Sequence, residues 1–313
     1  GLAGGCRLVV TERRPVGQIA REIEQAGGDL NARTTHDQTV FHIVLPRDEL
    51  GTAFDVLADA LVRKTLDDQE VERERTVILE EIRRAEADPA RRMAQLLFAA
   101  VGKESRYSQP IVGTQKTVKA IKKDQLIEFY RKYYVPSNLV LVVVGNVSAS
   151  EVKELALQRL GPLGLPGAEG VKAAPRARDT DTTLAARNQT QPRVILDERS
   201  GPLRLGIAFP GVPLLSEDAA ALDLLAVLLG RGGAARLLRH LRDEEELVTQ
   251  VDAWAHTPRQ EGLFVVEVSP ITGQLVPTLA ELGEELFRLR HERIPQADLD
   301  RARTLREAGA VYQ

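Results

Sequence analysis

The chain has 313 residues, 43% hydrophobic and 28% charged, with a formal net charge of -3 at pH 7. That length buries one large core or two ordinary ones, and the balanced charge offers no basic surface for nucleic acid and no acidic tail. No apolar stretch is long enough to span a bilayer and no signal peptide is visible, although the first residue is Gly1 rather than methionine, so an upstream segment could have been removed.

In chain order, residues 1–10 read as a short strand. Cys6, the single cysteine, sits in its apolar part and reads as a small buried hydrophobe. With no second cysteine an intrachain disulfide is excluded, which fits a reducing compartment; the expectation is the cytoplasm, with the oxidising periplasm as the alternative. Residues 15–26 predict a helix with Pro15 in its first turn, Gly27-Gly28 past its end and Ile19, Ile23 and Ala26 as its apolar stripe. Leu30–Leu45 alternates as one strand with both faces partly covered. Leu50, Phe54, Leu57 and Leu61 repeat at helical spacing over 48–62. Asp67 and Asp68 are N-cap candidates for a long helix over 68–87 that stops before Pro89. Further helices are predicted at 90–101, 123–134 and 149–159, and the continuous apolar run Leu139–Val144 predicts a fully buried strand.

From 161 to 191 glycine, proline, threonine and charges dominate without any period, which marks an interdomain linker, placed at 165–190. Strands at 192–196 and 203–209, helices at 216–229 and 234–242, strands at 247–255 and 262–269 and helices at 274–292 and 296–311 come after it. The second half echoes the first. The expectation is therefore α+β: two homologous α/β-sandwich domains, 1–164 and 191–313, each a mostly antiparallel sheet with helices on one face. The second would be incomplete, ending on a helix without a closing strand.

The chemistry-bearing residues are few. Glu74 and Glu81 stand seven apart on the predicted helix 68–87 and so share one face, about 20° from eclipsed. By themselves they read as part of a charge-rich solvated face, set among Glu70, Glu72, Glu80, Arg73, Arg75, Arg83 and Arg84. His36 and His42, six apart on one predicted strand, would lie about 20 Å apart, too far to share a metal. Gly230–Gly233 lacks the lysine of a phosphate loop and reads as a helix end and turn. After Gly27-Gly28, Asn31-Ala32-Arg33-Thr34 would present an edge to which an extended peptide could add.

Four stretches in order carry a resemblance over almost the whole chain. They are IAREIEQAGGDLNARTTHDQTVFHIVLPRDEL (19–50), VERERTVILEEIRRAEADP (71–89), Ser108–Gly113 with FYRKYYVPSNLVLVVVGNV (129–147), and LGRGGAARLLRHLRDEEELV (229–248). They resemble the pitrilysin/insulinase family of zinc metallopeptidases, in its mitochondrial-processing-peptidase-like branch. The resemblance implies that Glu81 is the third zinc ligand and Glu74 a carboxylate that supports it. It also implies that Asn31, Ala32 and Arg33 dock substrate main chain, and that Arg242 holds substrate.

The family's H-x-x-E-H helix, which gives two zinc ligands and the general-base glutamate, is absent: none of His36, His42, His240, His256 and His291 has that spacing. By the family's interval the second histidine would fall near position 5. GLAGGCRLVV there resembles the first strand, and TERRPVG (11–17) resembles the segment next after the motif, so two pieces look joined near Val10–Thr11. Disorder, deletion and natural loss all account for this. The arginine's usual tyrosine partner is Thr249 here, so the chain looks like the metal-bearing subunit of a homo- or heterodimer. The expectation is a Zn2+-dependent endopeptidase acting on peptides or unfolded polypeptide, inactive without the histidine motif. The alternative is a non-catalytic partner or scaffold.

Overall fold

The computed structural model describes residues 14, 17–62, 68–101, 106–161, 195, 201–260 and 262–311. The expected strand at 1–10 with Cys6, the Val10–Thr11 join, Asp67, the linker at 165–190 and nearly all of the strand at 192–196 lie outside them. The described residues form two compact units. One takes in those up to Asp88 and again from Pro110; the other takes in Pro89–Gln109 and those beyond Asp181.

In the first unit, helix α1 (Gln18–Gln25) buries Ile19 and Ile23. It leaves through Gly27, whose φ of 76° is left-handed, and through Gly28, where any Cβ would collide with the Val44 carbonyl and the Leu45 side chain. The predicted single strand Leu30–Leu45 is instead an antiparallel hairpin of β1 (Asp29–Thr34) and β2 (Thr39–Val44), in register Asn31↔His42 and Ala32↔Phe41. The reason is local: the Thr35 hydroxyl accepts from the backbone N–H groups of Asp37 and Gln38, both at 3.2 Å, and closes a turn inside the alternating run. Leu30 and Ile43 pack with Ile19, Ile23 and Val56, while Asn31, Arg33 and His42 face water.

Helix α2 (Leu50–Val62) carries the buried Asp59, which pairs with Arg14; Arg14 also reaches Glu22 at 2.7 Å. Helix α3 (Asp68–Ala87) meets α5 (Gln115–Ala120), where Arg75 donates to the carbonyls of Val118 and Ile121, a cation at a helix C-terminus. Helices α6 (Lys123–Tyr133) and α7 (Ala149–Arg159) complete this unit; Tyr130 of α6 donates to the Leu61 carbonyl of α2.

Leu139–Val144 departs from expectation. It makes no strand among the described residues, and Val140, Val142 and Val144 are 89%, 74% and 92% exposed. An apolar run sets a preference for burial, but a central strand is buried only between neighbours. The sole sheet among this unit's described residues is β1–β2.

In the second unit β3 (Leu205–Pro210), β4 (Val248–His256) and β5 (Leu263–Pro270) form an antiparallel sheet in the order β3-β5-β4. Ile207, Val266, Val268 and Ala253 face a core with Leu228, Leu229, Leu237, Leu241 and Leu282. Those leucines come from α8 (Ala219–Gly230), the short α9 (Arg236–Leu238) with the π-helical turn Arg239–Glu244 that continues it, and α10 (Leu275–His291). Helix α11 (Gln296–Val311) packs on α8 and buries Ala302. The other sheet face is covered by α4 (Pro89–Val101): Met93 and Leu97 stand against Gly206, and the Phe98 ring meets Trp254 and His256. That second cover explains why β5 is buried along nearly its whole length. Gly230 lies so near the Ala253 backbone that no Cβ fits, and Gly232 turns at φ 82°, so the glycine cluster is a helix end and turn. No described helix is long and apolar enough to cross a membrane.

Candidate functional site

Three glutamates of helix α3 pair with arginines three residues on: Glu70 with Arg73 at 2.5 Å, Glu72 with Arg75 at 3.1 Å and Glu80 with Arg83 at 2.8 Å. Such pairs contribute about 0.2–0.5 kcal/mol each. Glu74 and Glu81 sit instead along the half-buried stripe of Val71, Ile78, Ile82 and Ala85. Glu81 takes no hydrogen bond or ion pair among the described residues. A half-buried carboxylate without a donor is a cost that folded proteins usually avoid.

A catalytic zinc site uses three protein ligands and a water. Among the described residues no three histidine, cysteine or acidic side chains come together to hold a metal ion. The described residues therefore supply only part of a zinc ligand set: one carboxylate at Glu81 with a second, Glu74, on the same helix face. His36 lies in the hairpin turn and His42 opposite Asn31, so the two do not share a strand.

Strand β1 pairs on one side only among the described residues. Asn31 and Arg33 are exposed, and Ala32 turns inward. The Asn31 side-chain oxygen accepts from the Ala32 N–H at 2.8 Å, so the strand's own neighbour occupies that donor.

Arg242 belongs to the second unit. It stands on the π-helical turn, 42% exposed, and donates to Asp243 at 2.7 Å. Thr249, in the position of the expected tyrosine, donates to the Ser269 carbonyl at 3.2 Å on the neighbouring strand and carries no ring. Glu246, just past the turn, has φ 53° and is the one non-glycine among the described residues in the left-handed region.

Sequence reasoning passed over His240. Its Nε2 lies 2.9 Å from Glu281 and its Nδ1 3.2 Å from Glu244. Beside it the buried Glu285 accepts from Arg236 at 2.7 Å and from Arg288 at 2.9 Å. Glu281 and Glu285 are one turn apart on α10, but no local pattern in the sequence links that helix to residue 240.

Comparisons with known proteins converge. The family model described as Insulinase (Peptidase family M16) matches residues 8–115, and the one described as Peptidase M16 inactive domain matches residues 120–306, more than half of the chain. An uncharacterized zinc protease of Rickettsia bellii (strain RML369-C) is 27% identical over 297 residues, which are 94% of this chain and 68% of that protein. A protease from Helicobacter pylori has a similar structure: TM-score 0.85 at 22% identity, covering 98% of this chain and 73% of that one. Pitrilysin aligns with TM-score 0.65 at 21% identity over 95% of this chain and 32% of its own. At such identities the structural likeness speaks for the fold. The chain spans about two thirds of the length of the curated relatives it matches.

Proposed function

The chain belongs to peptidase family M16, the insulinase family, and on that premise we propose that it supplies the carboxylate side of a zinc endopeptidase site and the strand edge on which a peptide lies. The observation that carries this reading is Glu81, the half-buried glutamate of α3 with no partner among the described residues, on a helix where Glu70, Glu72 and Glu80 each pair with an arginine. Relatives named zinc proteases support zinc as the metal. Glu81 would ligate it and Glu74 would orient Glu81. Two imidazoles and the general-base glutamate must come from outside the described residues. Bound zinc would polarise the scissile carbonyl and lower the pKa of a water.

The chain's own contribution is to bind and align. An extended peptide or unfolded segment adding to β1 takes main-chain hydrogen bonds from its free edge. To do so the Asn31 side chain must release the Ala32 N–H, and Arg33 lies beside the incoming strand. Arg242, exposed on its turn, would hold substrate carbonyl or carboxylate groups. The test is zinc content and chelator-sensitive peptide hydrolysis of the protein as encoded. Glu81→Gln should abolish zinc retention, and Glu74→Gln should weaken it roughly 10–100-fold. An encoded protein that takes up no zinc would sink the reading.

A second reading is a non-catalytic partner or scaffold in a homo- or heterodimer. It is favoured by the finding that, among the described residues, no third metal-ligating side chain joins Glu81 and Glu74. Co-purification of a second chain bearing H-x-x-E-H would support it. A monomer that cleaves peptides unaided would exclude it.

A further inference from the structure

We propose that His240 is a proton-operated clamp that fixes the π-helical turn carrying Arg242 to helix α10. Both ring nitrogens of His240 face carboxylate oxygens, Glu281 at 2.9 Å and Glu244 at 3.2 Å. Ionised carboxylates only accept, so satisfying both requires two N–H groups, which only the imidazolium has; a neutral ring can serve one of them. The ring is mostly buried, 17% exposed, which makes the unsatisfied state costly. Glu244 also lies 3.4 Å from Arg239, so it has another partner when the ring lets go.

The surroundings bias the ring toward its charged form. From α10 come Glu281, Glu285 and Arg288; from α9 and the turn come Arg236, Arg239 and Glu244. Strand β4 also packs against the turn, but its titratable groups look elsewhere: Asp252 toward Arg231, and His256 toward Phe98 and Tyr107. Burial alone lowers the proton affinity of His240, but the hydrogen bonds to Glu281 and Glu244 and the charges of Glu285 and Glu281 outweigh it. The net direction is upward from 6.5. A raised folded value means the clamp's stabilisation is complete below 6.5 and is lost as pH rises through the folded value. The turn is therefore held below 6.5 and loosened as pH passes the raised folded value. The consequence for substrate rests on the reading of Arg242 given above; the clamp itself does not.

The experiment tracks the imidazole resonance of His240 and the hydrogen exchange of residues 236–246 in the intact chain from pH 5 to 9, corrected for intrinsic rates. The ring should titrate above 6.5, with protection of the turn falling roughly tenfold for each unit by which its pKa exceeds the unfolded value. His240→Gln should remove the pH step, and His240→Arg should keep the turn protected throughout. Glu281→Gln, which removes a carboxylate facing the ring at 2.9 Å, should move the titration down. Titration at or below 6.5, or a pH step that survives in His240→Gln, overturns the clamp. A step that appears as expected while Arg242→Ala leaves peptide affinity unchanged keeps the clamp and removes only the substrate role of Arg242.

Discussion

At the scale of single residues, most of what matters here is whether a charged group has a partner. Glu72, Glu80 and Glu81 are the same residue type on one helix, yet among the described residues two are paired and one is not. The seven-residue spacing of Glu74 and Glu81 and the three-residue spacing of each paired glutamate from its arginine were readable, since they follow from the helical repeat. Which glutamate would lack a donor was not readable, because that depends on what packs above the stripe. Glu246 is the other informative residue. A left-handed conformation costs a non-glycine residue about 1–2 kcal/mol, and glycine returns part of that gain as unfolded-state entropy. Glu246→Gly should therefore raise stability by about 1 kcal/mol, measured as a higher urea midpoint at unchanged slope. An unchanged or lower midpoint would mean that the Glu246 side chain contributes more than its backbone costs.

At the scale of elements, the helices were largely legible. α3 spans the range expected from its caps and the following proline, and α7 falls where its period put it. Strands were less so. The hairpin β1–β2 read as one strand because the Thr35 turn has no glycine or proline to mark it, and Leu139–Val144 read as buried because composition does not say whether neighbours are present. The role of α4 was also hidden: its period fits packing against any apolar surface, and the surface it covers is written more than a hundred residues later. Phe98→Ala tests that cover. Losing the ring should cost about 3 kcal/mol and shift the fluorescence of Trp254, the chain's one tryptophan, whose ring lies 6.3 Å from Phe98. Unchanged emission and stability would show that α4 does not close this sheet face.

At the scale of the whole molecule, the two units interleave in sequence, because α4 and Tyr107 are built into the unit of the later strands. Tyr107 accepts from the Gln260 N–H at 3.1 Å and packs edge-on against His256, so a second contact ties this segment to that sheet. A fragment beginning at Asp181 should expose the Trp254 face of the sheet and aggregate or melt early, and addition of residues 89–109 should restore a cooperative transition. A fragment that unfolds cooperatively by itself would refute this. The sequence determined most of the helices and the shared face of Glu74 and Glu81, because periodicity and capping are local properties. Only the tertiary structure decided that α4 joins the later sheet, that Glu81 stays unpaired among the described residues and that His240 meets two carboxylates. Those outcomes depend on contacts between distant segments, which no local pattern encodes.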